Sequence, residues 1–231
     1  MFAKFYRKLF VFIAIFSMIV FISGSLVIAK KNKPKGAMWD VYPSMNRGEI
    51  QGFVDAALDG DTIYFHAGTY DWSDASPTER GDNQGAINII DKSLIIKGEQ
   101  DTIIVGPNST GGTEDHPIGV NAFYIQNLDI TNDVTFDGLE FHNFLRGIDV
   151  GHITHVIGDD YYIAWPNVKN ITVKNCKFLD IHRDAVSLSN LGGNILIHNN
   201  NIISADRYGM FISWYWAEPR PYWQPDDSYV Q

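Results

Sequence analysis

The chain has 231 residues, 45% of them hydrophobic, enough to bury one sizeable core and too few for a second large domain. All 27 Asp and Glu lie after residue 35 against eleven Lys and Arg there, a formal charge of about −16 that excludes nucleic acid as a natural partner. The single cysteine, Cys176, excludes an intrachain disulfide framework, so packing and backbone ladders must hold the fold.

Residues 1–29 read as an export signal, because Lys4, Arg7 and Lys8 precede an uncharged apolar run from Leu9 to Ala29. Two fates stand open for it. Val27 and Ala29 occupy the positions a signal peptidase reads, with cleavage after Ser25 as a second candidate. Left uncut, the run at ~1.5 Å per residue comes close to the ~30 Å hydrocarbon core of a bilayer. Lys30, Lys31, Lys33 and Lys35 nearly balance the basic residues ahead of the run, so orientation rests on the export reading. The expected location is extracellular or at the cell surface, with residues 9–29 as the membrane anchor if they are retained.

Residues 30–48 are polar and spotted with Pro and Gly, a linker by composition. From Glu49 to Leu58, Ile50, Phe53, Val54, Ala57 and Leu58 fall at helical spacing and predict a short amphipathic helix. Beyond Asp61 the chain breaks into short runs rich in Ile, Val and Phe, divided by Gly and Asn. These runs repeat in register. Val134, Phe136, Gly138 and Phe141 match Ile171, Val173, Asn175 and Phe178, which match Ile195, Ile197, Asn199 and Ile202. A third strand follows each time, placing Ile148 and Val150, Val186 and Leu188, and Met210 and Ile212 at nearly constant distance from the start of the unit. Weaker copies begin at Ile63 and at Leu94, the latter with Gly98 in the turn position, which makes about five coils.

No unit of this length buries its apolar face alone, but stacked units share a continuous core and pair every strand in parallel. The pattern over residues 49–213 therefore predicts an all-β fold, a right-handed parallel β-helix of about five coils with the short helix capping the first. Ile171, Val173, Ile195 and Ile197 are expected in one core, with Asn175 and Asn199 as stacked corner residues. Gly60 to Tyr70 (GDTIYFHAGTY) resembles the opening coil of the pectate-lyase-like superfamily, and Lys92 to Gly98 (KSLIIKG) resembles its second coil. The resemblance covers roughly Ile50 to Ser213 and implies a substrate groove along one parallel sheet. It specifies architecture rather than chemistry, because such coils occur in polysaccharide lyases, glycoside hydrolases, epimerases, esterases and non-catalytic surface proteins.

Two regions could carry chemistry. The segment after the third strand is much longer at Gly151–Asn170 than at Ser189–Asn194, and long loops on rigid scaffolds tend to carry function. It holds His152, His155, Asp159, Asp160, Tyr161, Tyr162 and Trp165, candidates for sugar contact or for a cation such as Ca2+. The bland alternative is a solvated insertion. The second region is the entry to the third strands, where Leu145-Arg146-Gly147, Arg183-Asp184-Ala185 and Arg207-Tyr208-Gly209 stack on successive coils. Alternation turns Ile148, Val186 and Met210 inward and Asp149, Ser187 and Phe211 toward solvent.

A polysaccharide lyase needs a base for the proton α to a uronate carboxylate and a cation to neutralise that carboxylate; His182 or Arg183 fits the first role and Arg146 or Arg207 the second. A hydrolase would instead use a carboxylate pair such as Asp149 and Asp184. Mutual pairing of these charges at a coil corner is the bland alternative. Cys176 reads as an inert, partly buried thiol. Residues 214–231 are rich in aromatics, among them Trp214 and Trp216, and are a sugar platform, a cover for the last coil, or the start of further coils. The functional expectation is a carbohydrate-active protein that binds or degrades a polysaccharide or cell-surface glycan, with a non-catalytic adhesion or envelope module as the alternative. An acidic surface repels an acidic polysaccharide unless a divalent cation bridges the two, which bears on either reading.

Overall fold

The computed structural model describes residues 36–76, 78–79, 85–108, 111–112, 117–126, 132–151, 153–156, 162–165, 169–189 and 193–213. Three long sheets run the length of the domain, and every pairing within them is parallel. The first holds Met38–Val41, Asp61–Phe65, Leu94–Gly98, Asp133–Asp137, Asn170–Lys174 and Ile195–His198 in that order. The second holds Gly68–Asp71, Thr102–Val105, Glu140–His142, Lys177–Leu179 and Asn201–Ile202, and the third Gly85–Ile90, Asn121–Gln126, Arg146–Val150, Asp184–Ser189 and Tyr208–Ser213. From Asp61 the chain visits first, second and third sheet in turn and repeats the circuit, giving about five coils of a parallel β-helix.

The register follows the sequence repeat residue by residue. Val134 pairs with Ile171 and Ile171 with Ile195, Phe141 with Phe178 and Phe178 with Ile202, and Ile148 with Val186 and Val186 with Met210. Parallel stacking puts like side chains on like, so one aliphatic and aromatic core runs between the sheets. Phe123 lies at its centre, with ring centroids 5.2 Å from Phe136, 5.5 Å from Trp72, 6.1 Å from Phe141 and 6.4 Å from Phe65. Ile171 and Val173 are fully buried, whereas Ile195 and Ile197 are only partly so. The fifth coil has a neighbour on one side only among the described residues, which also leaves Met210, expected inside, 46% exposed.

The corners need backbone that few residues tolerate. Gly138, Asn175 and Asn199 occupy equivalent positions with φ of +75°, +54° and +55°, the left-handed region favoured by Gly and Asn. At Gly138 a Cβ would also lie 2.9 Å from the Gly98 carbonyl oxygen. Asn175 adds a hydrogen bond from Nδ2 to Asp137 Oδ1, 2.7 Å away on the preceding coil.

The first coil is closed by a helix and by an edge strand that the composition of residues 30–48 does not announce. The helix runs Arg47–Ala56, with Asn46 and Glu49 forming a reciprocal capping box and Ile50 and Val54 buried. Its free C-terminal carbonyls accept from Lys92 Nζ, which reaches Val54, Asp55 and Ala57. Buried Asp61 ties the edge strand down, its carboxylate accepting from Ala37 N at 2.8 Å, Trp39 Nε1 at 3.0 Å and Leu58 N at 3.0 Å.

On the second sheet Glu140 Oε1 lies 2.6 Å from His142 Nε2 and 3.1 Å from Lys177 Nζ. Burial works to raise this carboxyl, but hydrogen bonds and charge from His142 and Lys177 outweigh it and hold it below its ordinary range. A carboxyl lowered in the fold contributes stability above its unfolded value and loses it as pH falls through the folded one. Glu140→Gln should therefore lower Tm at neutral pH by about 1–3 °C and flatten its decline below about pH 4.5. A thermal scan across pH that keeps the same acid limb in both proteins would count against this.

Candidate functional site on the third sheet

Two rows cross the third sheet in register. Asn121, Arg146, Asp184 and Tyr208 form one, and Tyr124, Asp149, Ser187 and Phe211 the other. Strict alternation would put Arg146 and Asp149, three apart, on opposite faces. Yet Arg146 Nη1 reaches Asp149 Oδ2 at 3.2 Å, and the break falls at Gly147. Gly147 is pressed so closely on the core that a Cβ there would sit 2.5 Å from Phe178 Cε1.

A buried charged network results. Asp184, 1% exposed, faces three guanidiniums: Arg146 Nε at 3.4 Å and Arg183 Nε at 3.6 Å from Oδ2, and Arg207 Nε at 3.6 Å from Oδ1. Asp149 is held by Arg146 and by Asn121 Nδ2, 2.9 Å from Oδ2. Burial pushes the Asp184 carboxyl up, and Arg146, Arg207 and Arg183 pull it back part of the way. Arg183 is pushed down by burial first and then by its like-charged neighbours Arg146 and Arg207. With Asp206 at the rim, three arginines meet three aspartates by formal count.

Not every donor in the network is satisfied. Among the described residues, Arg183 Nε and Nη1 are buried without a hydrogen-bond partner, as are Asp184 Oδ1 and His182 Nε2. Such groups are rare in folded proteins, and here opposite charges stand just beyond hydrogen-bond distance, Arg183 Nε 3.6 Å from Asp184 Oδ2 and Arg207 Nε 3.6 Å from Oδ1. At the rim, Arg207 stacks on two rings, its Cζ 4.7 Å from the Tyr208 centroid and 5.1 Å from that of Phe211. Those rings lie nearly parallel, 5.9 Å apart, and Tyr208 is 42% exposed. His182 Nδ1 lies 3.7 Å from Asp206 Oδ2.

The structure thus brings His182, Arg183, Asp184, Asp149 and Arg146 together, but presents them differently from the expectation. Asp149 and Ser187 do not face open solvent; they are 6% and 5% exposed, because Asn121, Tyr124 and Arg146 crowd the same face. Asp149 and Asp184 are therefore enclosed by arginine rather than offered to a sugar, which suits a hydrolytic pair poorly. Arg146 lies opposite Asp184 rather than Arg183, so its charge is met within the protein. Asn121 and Asp206 escaped sequence reading; carrying the third-strand alignment back one coil would have placed Asn121 beside Arg146.

The long segment contains a hairpin, Ile153–Val156 paired antiparallel with Tyr162–Trp165. The side chains of Tyr162 and Trp165 lie outside the description, as do His152, Asp159, Asp160, Tyr161, Trp214, Trp216 and the whole of residues 1–35. Among the described residues no three His, Cys, Asp or Glu gather as metal ligands, and no helix is long and apolar enough to cross a membrane. Cys176 is buried and its thiol is pushed up to about 11, chiefly by desolvation, as an inert core residue requires.

By strand order, register and core, the chain is a parallel β-helix solenoid. Set against protein-family models, curated proteins and solved structures, it matches none of them.

Proposed function

We propose that the chain is an exported or membrane-anchored β-helix protein of the pectate-lyase-like kind that binds a polysaccharide on the outer face of its third sheet, at the last two coils. The observation that carries this reading is a gathering of arginine beside aromatic rings. In a domain of about −16, three arginines converge beside a half-exposed aromatic pair, Tyr208 and Phe211. Flat rings suit the C–H faces of sugars, and guanidiniums suit their oxygens and acidic substituents.

Burial of both aspartates favours recognition over hydrolysis, and so gives weight to the non-catalytic surface module as a second reading. A screen of the full chain against plant, algal and microbial polysaccharides separates these readings. Retention of an acidic glycan is expected. New unsaturated ends or reducing sugar would identify a lyase or a hydrolase, retention alone a binding module, and neither retention nor turnover would reject the glycan reading.

A further inference from the structure

The fifth coil ends the described solenoid with its core open. Its inward residues Ile202, Met210 and Ile212 are 39%, 46% and 37% exposed, whereas their fourth-coil partners Phe178, Val186 and Leu188 are buried. The repeat says what comes next. Equivalent residues on the fourth and fifth coils are 24 apart, and the same step from Ile195 and Ile197 lands on Pro219 and Pro221. Proline usually argues against a strand, because it has no N–H to give the ladder. Here the direction of the donors reverses that argument. On the first sheet, inward and corner residues donate to the following coil: Gly138 N to Lys174 O at 3.1 Å, Ile171 N to Asn194 O at 3.0 Å and Asn175 N to His198 O at 3.3 Å. The residues between them donate to the preceding coil, as Thr62 N does to Ala37 O at 2.8 Å and Asn170 N to Asn132 O at 3.4 Å. One step beyond Ile195 and Ile197, Pro219 and Pro221 would lack only the donors that point away from the fifth coil. Arg220 and Tyr222 would still supply those that point toward it. Glu218 and Arg220, each preceding a proline, are also driven to extended backbone.

We propose that residues 218–222 dock on the open end of the fifth coil as a further strand of the first sheet, parallel to Ile195–His198, with Pro219 beside Ile195 and Pro221 beside Ile197. The occupant is the chain's own continuation, reached from Ser213 over the same span that carries Ser189 to Ile195. The apolar pattern stops there. At the following strand position, opposite Asn201 and Ile202, the step lands on Pro225 and Asp226. The prolines of the docked strand face outward, where a bare edge would otherwise offer its N–H groups to a second molecule. The strand therefore covers the core and blocks end-to-end assembly of the solenoid, whatever the third sheet binds.

Hydrogen exchange of the full-length chain, read by mass spectrometry at residue resolution, tests this. The Ile195 and Ile197 amides should exchange about a hundredfold or more slower than unstructured chain. Arg220→Pro together with Tyr222→Pro removes the donors that face the fifth coil. Protection at Ile195 and Ile197 should then be lost while Ile171 and Val173 keep theirs, and Arg220→Pro alone serves as the milder variant if the pair unfolds the fourth coil as well. Pro219→Val together with Pro221→Val should leave that protection intact. Because it restores outward donors, this variant should also self-associate as concentration rises, which sedimentation reads, while the natural chain does not. Exchange at the unstructured rate in the natural chain overturns the proposal, as does protection that survives both proline variants. Natural and valine chains that associate to the same extent overturn the role of the prolines.

Discussion

Asp184→Ala is expected to destabilise the protein by about 3–5 kcal/mol, lowering Tm by about 10 °C. The carboxylate is almost wholly buried and is the common partner of Arg146, Arg183 and Arg207. Its removal leaves three guanidiniums facing one another without their common buried partner. The size of the effect does not require the intact network to be strongly stabilising, since burial raises the Asp184 carboxyl and the ion pairs only partly offset that. Breaking a buried pair costs more than the pair contributes, because the charges left behind cannot return to water. Asp184→Asn, which keeps an acceptor in place, should fall between. Melting curves that coincide for all three proteins would mean that the arginines do not depend on Asp184.

Phe123→Ala should cost a similar amount, about 3–5 kcal/mol, for a different reason. From the third sheet the ring reaches Phe65 and Phe136 of the first sheet, Phe141 of the second and Trp72 just beyond a second-sheet strand, so its loss opens a cavity that no single strand can move to fill. A polar change at the last coil makes the comparison informative. Ile195→Asp is expected to cost less than Ile171→Asp, because Ile195 is only partly buried whereas Ile171 is not exposed at all. Equal losses at the two positions would show that the fifth coil is enclosed as fully as the fourth.

How legible this was from the sequence depended on whether a residue obeys the repeat. Val134, Ile171 and Ile195 recur at fixed offsets, and stacking turns an offset directly into a register, so the coils and their core could be read off without a template. The same holds for the corner residues Asn175 and Asn199, whose positive φ follows from their place in the unit. The edge strand Met38–Val41 was not legible, because it lies outside the repeat and is held by its ladder to Thr62–Phe65 and by the distant carboxylate of Asp61.

The site was legible as a location and not as an arrangement. Alternation put Asp149 and Ser187 on the outer face correctly in register with Phe211, but it carries no information about what else covers that face. The break in alternation at Gly147, which lets Arg146 meet Asp149, recurs at Ala122 and Ala185, small residues buried beside Phe123 and Val186, and strict period-two alternation does not anticipate it. The unmet donors of Arg183 emerge only from three-dimensional accounting, because Asp184 is its neighbour in sequence and would have been assigned to it alone.

The most direct test of the account is a crystal structure of the chain with a bound acidic oligosaccharide. The account predicts a sugar ring on the outer face of the third sheet at its last two coils, against Tyr208 and Phe211. An oligosaccharide seated elsewhere, with Tyr208 and Phe211 untouched by it, would contradict the account.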